Sequence, residues 1–460
     1  MPPDSRLISL NVHNEEAQDK KTLDYTLDAT FTRIDNLQQR DKNLVFTIVY
    51  GVLRHRNRLD WILGHFSRTG LNKLDPEVLN ILRIGLFQVV YLTRIPESAA
   101  VNTAVDLAKT LKKPWLAKFV NAVLRAAVRE YRELSPPDME NDPAFAISIE
   151  KSMPQWLVSR WIPRFGIPQT LLLCGIINTI PPLTLRVNTL KTTRSVLLES
   201  GNIYASRMEP TAHGPDGVRI EHPKDPVASP AAPMVASIEG FREGFFQVQD
   251  EAAQIVTLLL DPRPGETVMD ACAGLGGKTG HIAQQMKNMG KVLALDISHD
   301  KLENIHPEMR RLGISIVETR VHDLDRIPDT HWTGKYDRVL LDAPCSGLGV
   351  LRRNPDIKWR ASPDRLERCQ LRQIGFLDQV SRFVKPSGVL VYAVCSMEPE
   401  ENEAVVAAFL RNHPGFCVEK NPAGLSPQIL SLMDPEGYLR TFPHLHAMDG
   451  FFAVRFRRSA

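Results

Sequence analysis

The stretch DACAGLGGKTGHIA, Asp270 to Ala283, passes from an apolar strand through a glycine loop into a helix. Gly274, Gly276 and Gly277 let the backbone turn tightly and approach a ligand closely. From about residue 236 onward, ETVMDACAG, KVLALDIS, ISIVETRVHD, YDRVLLDAPC and GVLVYAVCS alternate with helical or polar segments. Repeated βα units of this kind build a mostly parallel, doubly wound α/β sheet with helices on both faces. Ligands in such sheets bind beyond the carboxyl ends of the strands. Here those ends read Asp270, Asp296, Asp323, Asp342 to Cys345, and Cys395.

The loop fails two phosphate-binding patterns. A phosphate loop needs glycine at the fifth position before Gly277, where Cys272 stands, and Thr279 occupies the third glycine position of a dinucleotide fingerprint. What remains is a glycine loop followed by Asp296, 20 residues after Gly276 at the end of the next strand. That carboxylate is placed to accept from both hydroxyls of a ribose, and Asp323, ending the third strand, suits an adenine amino group. An adenosine without phosphates fits this set, and S-adenosylmethionine is such a ligand.

Two thiols and an acid mark the next strand ends. In RVLLDAPCSGLG and SGVLVYAVCSMEPEEN, strand-type apolar runs deliver Asp342, Cys345 and Cys395. A lone cysteine in an apolar strand is usually a small core residue, and Cys174, Cys369 and Cys417 are read that way. Cys272 is read as packing within the cofactor loop. Cys345 and Cys395 differ because both follow strand ends beside Asp342 and both precede a serine. Alkylating an electron-poor aromatic carbon, such as C5 of cytosine, requires making that carbon nucleophilic, which a thiolate adding at C6 achieves. A carboxyl group hydrogen-bonded to N3 then stabilises the adduct's charge. Pro344 fixes the backbone where a planar base would stack.

Upstream, residues from about Thr22 to Leu134 repeat apolar positions at helical spacing. Asp75-Pro76 is an N-cap with proline at the first helical position. In Val78 to Leu92 the polar residues are only Asn80, Arg83 and Gln88, which predicts a central helix of a compact bundle. SPPDMENDP (135–143) is a turn-rich boundary. Residues from about 150 to 235 carry a helical patch, QWLVSRWIPRFG, a strand in LTLRVNTLK, a hairpin in HGPDGVRIE and a linker-like DPVASPAAP. These predict a small α+β module.

With 43% hydrophobic and 24% charged residues the composition is that of a soluble protein of two or three domains. No run approaches the roughly 20 apolar residues of a membrane span. Six cysteines without a CxxC pair argue against a disulfide scaffold and a zinc site, and point to a reducing cytoplasm. Net charge is +3, but residues 1 to 134 carry 20 Lys+Arg against 15 Asp+Glu. That excess, including Arg54, Arg56 and Arg58, suits a polyanion-binding module. A solvated helix surface accounts for it equally well.

These segments resemble a known family. DACAGLGGKT, LLDAPCSGLG with RRNPDIKW, and YAVCSMEPEEN resemble, in order, the cofactor loop, the DAPCSG motif and the TCS-PEEN motif of RNA cytosine-5 methyltransferases. GFFQVQDEAAQ and DGFFAVRF match the flanks of the same catalytic domain. VYGVLRHRNRLDWIL, LRIGLFQVVYL, IPESAAVNTAVDLAK and FVNAVLRAAVRE resemble a NusB-like RNA-binding domain. The resemblance covers nearly the whole chain. It implies that Cys395 is the nucleophile, that Cys345 assists product release, and that Cys272, Ala273, Gly274, Leu275, Gly276, Gly277, Lys278, Asp296, Asp323 and Asp342 contact the cofactor. Leu275 stands where the family usually has Pro, and Val394 where it usually has Thr.

The expectation is a multidomain chain. It has an all-α NusB-like bundle (1–140), a small α+β module (141–235) and a Rossmann-like S-adenosylmethionine-dependent methyltransferase domain (236–460). The expected activity is cytosine-5 methylation of small-subunit ribosomal RNA in the cytoplasm, without metal, membrane or obligate protein partner. Transfer RNA as substrate, or a catalytically silent RNA-binding protein, are the alternatives.

Overall fold

The computed structural model describes residues 4–16, 22–34, 37–111, 114–199, 208–220, 235, 238–326 and 330–460. The linker-like DPVASPAAP lies outside them. The described residues form two compact units. The first runs to Ile180 and takes in Leu351–Arg360; the second holds the rest.

The first unit contains α1 (Ser5–Glu16), α2 (Leu23–Arg33), α3 (Gln39–Phe66), α4 (Pro76–Tyr91), α5 (Glu97–Thr110), α6 (Pro114–Glu130), α7 (Pro143–Glu150) and α8 (Gln155–Ile177). Helix α4 is central, as its pattern predicts: Asn80, Arg83 and Gln88 are all buried. It starts where expected, with the Asp75 side chain accepting from the Glu77 N–H at 3.1 Å. Its buried polar groups are satisfied by neighbouring helices, as burial demands. Arg83 donates to both carboxylate oxygens of Asp60 at 2.7 Å and to Asn80 Oδ1 at 3.1 Å. Gln88 accepts from Arg6 Nε at 3.1 Å. The α3–α4 crossing is close because residue 51 is glycine: a Cβ there would lie 2.0 Å from the Phe87 ring. Helices α7 and α8, expected in the middle module, belong to this bundle. Asn57 of α3 donates to the carbonyls of Ser148 and Met153 at 3.0 and 3.1 Å.

The second unit opens with β1 (Leu183–Val187), α9 (Arg194–Glu199), β2 (Met208–Pro210), β3 (Gly217–Ile220) and β4 (Phe246–Val248). These strands make an antiparallel sheet of order β2-β3-β1-β4, with β2 and β3 as the predicted hairpin. Then follow α10 (Glu251–Leu260), β5 (Thr267–Asp270), α11 (Gly277–Gln285), β6 (Lys291–Asp296), α12 (His299–Leu312), β7 (Val317–Val321) and β8 (Tyr336–Asp342). After the short α13 (Ile357–Arg360) come α14 (Pro363–Ser381), β9 (Val384–Val394), α15 (Glu403–Asn412), β10 (Phe416–Val418), α16 (Pro427–Leu430), β11 (Tyr438–Thr441), α17 (Pro443–His446) and β12 (Phe451–Arg458).

The large sheet has order β10-β12-β9-β8-β5-β6-β7, with β11 on β12. Strands β7, β6, β5, β8 and β9 are parallel; β12 runs antiparallel to β9. Both faces are covered. Along β9, Val389, Val391 and Ala393 enter one apolar cluster while Leu390, Tyr392 and Val394 enter the other. Side chains alternating into two cores explain why these strands read as unbroken apolar runs. Strand order reverses between β5 and β8, the position where such sheets open a crevice.

Segment Leu351–Arg360 follows the β8 thiol loop in sequence yet packs with the helices. Lys358 is fully buried, its Nζ donating to Arg54 O at 2.8 Å, Ser152 O at 3.1 Å and Asn178 Oδ1 at 2.9 Å. Burial, with Arg54 nearby, pushes its pKa well below the usual lysine value.

Arg83 generates a stability prediction. Breaking a buried ion pair by removing one partner costs about 3–5 kcal/mol, because the other charge is stranded. Since Asp60 keeps some solvent contact (side chain 26% exposed), Arg83→Met is expected to cost about 3 kcal/mol, near the lower end of that range. Adding Asp60→Asn should recover part of the loss. Calorimetric melting of the full chain checks both; unchanged melting would mean the pair contributes no net stability.

Candidate active site

The glycine loop forms as its sequence requires. Gly274 and Gly276 take φ of +57° and +82°, and Gly276 precedes the first residue of α11. A Cβ on Gly276 would also sit 3.0 Å from Ile305. The loop is tied to the next strand: Asp296 Oδ2 accepts from the Gly274 N–H at 3.0 Å and Oδ1 from the Ser298 N–H at 2.9 Å. Each oxygen keeps a lone pair for a ligand hydroxyl. Asp323 accepts from the Asp325 N–H at 3.0 Å and pairs with Arg326 at 3.4 Å. Leu275 (63% exposed), Ile297 (58%) and Val321 (49%) leave apolar surface at the same strand ends. Single exposed apolar residues are ordinary; three beside open carboxylates suit a ligand with an apolar ring and hydroxyls.

Asp270 closes β5 and is buried. Its Oδ2 accepts from Thr279 Oγ1 at 2.7 Å, while Oδ1 has no hydrogen-bond partner among the described residues. Burial raises its pKa to about 6, against the Thr279 hydrogen bond. Cys272 is a thiol pushed well above its usual range by burial and by the neighbouring acids Asp270, Asp342 and Asp296. It packs against the second core cluster, consistent with a packing role.

Lys278, expected only as a cofactor contact, makes an ion pair with Asp342, Nζ to Oδ2 at 2.6 Å. Burial alone would lower its pKa. Asp342 outweighs that, with smaller contributions from Cys395 and Asp270, and holds the ammonium above its ordinary value. Beyond Asp342, the chain places Cys345 Sγ 3.2 Å from Cys395 Sγ. Both are free thiols; a disulfide would be near 2.05 Å. Cys345 is pushed well above the usual thiol range by its hydrogen bond to Cys395, by burial and by the charges of Cys395 and Glu401. The two loops approach through glycine. Gly349 N–H donates to the Cys395 carbonyl at 2.9 Å, and a Cβ on Gly349 would lie 1.8 Å from the Gly450 carbonyl oxygen.

Two contributors were not named from the sequence. Arg186 of β1 is fully buried and donates Nη1 to the Gly277 carbonyl at 2.7 Å and Nη2 to Gln247 Oε1 at 2.6 Å. The small sheet thereby braces the first turn of α11. Glu401 accepts hydrogen bonds from both cysteine loops. Its place in the acidic PEEN run was the only available signal.

Arg54, Arg56 and Arg58 are not the free basic patch that their spacing suggested. At about 100° per residue, a helix puts the middle one on a different side from the outer two. All three are half-buried. Arg54 lies over Tyr50 (5.5 Å) and donates to Arg352 O at 3.2 Å; Arg56 lies over Trp359 at 5.3 Å. Burial lowers Arg54 to about 10. The side chains of Arg54 and Arg56 are engaged inside the helical unit.

Three family models match the chain in order: the NusB family over residues 6–129, the RsmF/B-like ferredoxin-like domain over 153–227, and the 16S rRNA methyltransferase RsmB/F over 257–457. The probable ribosomal RNA small subunit methyltransferase B of Bacillus subtilis is 35% identical over 428 residues, 92% of each chain. The ribosomal RNA small subunit methyltransferase B of Yersinia pseudotuberculosis is 36% identical over 423 residues, 91% of each. Among solved structures, PH0851 has a TM-score of 0.79 at 26% identity, covering 100% of both chains. A helical NusB-like start, a ferredoxin-like sheet and a methyltransferase sheet therefore occur together, and the chain belongs to the 16S rRNA methyltransferase RsmB/F family.

Proposed function

We propose that this methyltransferase modifies C5 of a cytosine in small-subunit ribosomal RNA, with S-adenosylmethionine as donor, through a covalent bond between Cys395 and C6 of the base. The observation that carries this reading is the pair of free thiols 3.2 Å apart beside the Lys278–Asp342 ion pair. The names of the relatives support the choice of RNA.

The donor's residues fit. Asp296 would take the ribose hydroxyls, Asp323 the adenine amino group, and Leu275, Ile297 and Val321 the apolar faces. When bound, S-adenosylmethionine supplies an electrophilic methyl group.

The chain's own residues make the base reactive. An ordinary thiol has a pKa near 8.5 and is a few per cent thiolate at neutral pH. Lys278 places a positive charge within electrostatic range of Cys395. Attack of the Cys395 sulfur on C6 forms the C–S bond and moves electron density towards N3 and C5. Asp342, with Lys278 as proton source, answers the charge at N3. After C5 is methylated, solvent water takes its proton and N3 returns its proton to the Asp342–Lys278 pair. The C5=C6 bond re-forms, and the C–S bond breaks with its electron pair leaving on the Cys395 sulfur. Cys345, held as a thiol, is placed to protonate the departing sulfur and release the product.

Asp296→Ala is expected to weaken donor binding roughly 10- to 150-fold, the equivalent of about 1.5–3 kcal/mol for a charged hydrogen bond left unmade. RNA binding should be unaffected. Calorimetry with S-adenosylmethionine checks this, and unchanged affinity would put the donor elsewhere.

The thiols are separated by release of tritium from C5-labelled RNA and by denaturing gels. Cys395→Ala should abolish release and form no adduct. Cys345→Ala should accumulate a denaturant-stable protein–RNA adduct, and the double variant none. The reverse pattern would swap the roles; full activity in both would reduce the cysteines to packing. Transfer RNA in place of 16S rRNA tests the substrate: faster turnover there would overturn the ribosomal assignment.

A further inference from the structure

Each thiol is followed by a serine, and both serines turn to one acid. Glu401, fully buried (0% exposed), sits in the polar stretch after β9. Its Oε1 accepts from the Ser346 main-chain N–H at 2.7 Å and from the Gln373 amide at 3.0 Å. Its Oε2 accepts from the hydroxyls of Ser346 and Ser396. Four donors fill a carboxylate's acceptor sites, and all four are neutral. The acid is anchored in turn. Tyr392 of β9 donates to its main-chain carbonyl at 2.7 Å, and Gln373 of α14 also donates to Pro344 O at 3.0 Å, next to Cys345.

We propose that Glu401 is the positioning residue of the thiol pair: by holding Ser346 and Ser396 on one carboxylate it sets the spacing of Cys345 and Cys395 and assigns them different roles. This rests on the covalent mechanism proposed above. Strand pairing between β8 and β9 ends at Asp342 opposite Ala393; beyond that point the loops are tied by the Gly349 N–H to the Cys395 carbonyl and, through side chains, by Glu401. Ser346 and Ser396 hydroxyls come within 3.4 Å of each other on the acid.

The charge environment is also unequal. Lys278 acts on the Cys395 side. Glu401 is among the groups that raise Cys345, and with burial it raises Cys369 on α14 to about 11. A negative charge held by neutral donors keeps neighbouring sulfurs protonated. A purely structural glutamate would leave the titration of Cys345 indifferent to its charge.

Glu401→Gln keeps the shape and removes the charge. In the full chain without RNA, iodoacetamide labelling across pH, resolved by peptide mass spectrometry, reads Cys345 separately from Cys395. The Cys345 profile should move to lower pH by about one unit or more. Methyl transfer should fall at least about ten-fold, the order expected for a lost charged hydrogen bond, with donor affinity unchanged. An unmoved profile together with activity within about two-fold of the parent chain would overturn the proposal. Should Glu401→Gln lose donor binding, and hence the fold, Ser396→Ala and Ser346→Ala each remove one donor and take its place. Either should slow adduct formation in the Cys345→Ala chain; no slowing in both overturns the proposal. Failure of the covalent reading is distinct: the parent chain would then release no tritium, and the Cys345→Ala chain would form no adduct.

Discussion

Parallel pairing of β8 with β9 is the constraint on which the site depends. Asp342 lies opposite Ala393, so the two strands end at the same height and their next residues emerge on the same edge of the sheet. Cys345 follows by three residues and Cys395 by two, which is how two sulfurs 50 residues apart in sequence come within 3.2 Å. The register resists slipping because both faces are buried. A one-residue slip of β9 would exchange Val391 and Ala393 with Leu390 and Tyr392 between two different cores. Tyr392 alone would lose a buried hydrogen bond to the Glu401 carbonyl. Apolar packing on either side of the sheet thus sets the height at which the two thiol loops leave it.

The strand ends were legible in the sequence because chemistry-bearing residues stand where apolar runs stop. Asp296, Asp342, Cys345 and Cys395 could be named that way, and so could the central helix with its confined polar residues. What escaped notice lies in contacts between distant residues. Lys278 and Asp342 are 64 apart, Arg186 and Gly277 are 91 apart, and Ser346 and Glu401 are 55 apart. No local pattern carries such pairings, since each depends on which loops the fold brings together. Arg54, Arg56 and Arg58 show the converse error. Proximity in sequence was read as proximity on a surface, whereas helical rotation and burial set Arg54 against Tyr50 and Arg56 against Trp359. RRNPDIKW follows the thiol loop in the chain, yet Lys358 is buried among helices of the first unit.

The two departures from the family pattern acquire different meanings in three dimensions. Val394 precedes Cys395 in sequence, and a missing hydroxyl there would be expected to matter. Strand alternation sends its side chain the other way. Val394 is fully buried in the cluster with Leu341, Phe376 and Tyr392, while Cys395 packs against the opposite cluster. A valine there adds apolar burial and removes a hydroxyl that would need a buried partner. Leu275 is in a different position. It is largely exposed between two glycines of positive φ, in the loop whose backbone Asp296 holds. Proline at that position would restrict the chain before ligand arrives. With leucine, the ordering of the loop falls more heavily on the Asp296–Gly274 hydrogen bond and on Arg186 at Gly277. The brace from the small sheet thus holds a loop that has no proline to stiffen it, and it does so from a part of the chain that carries neither thiol.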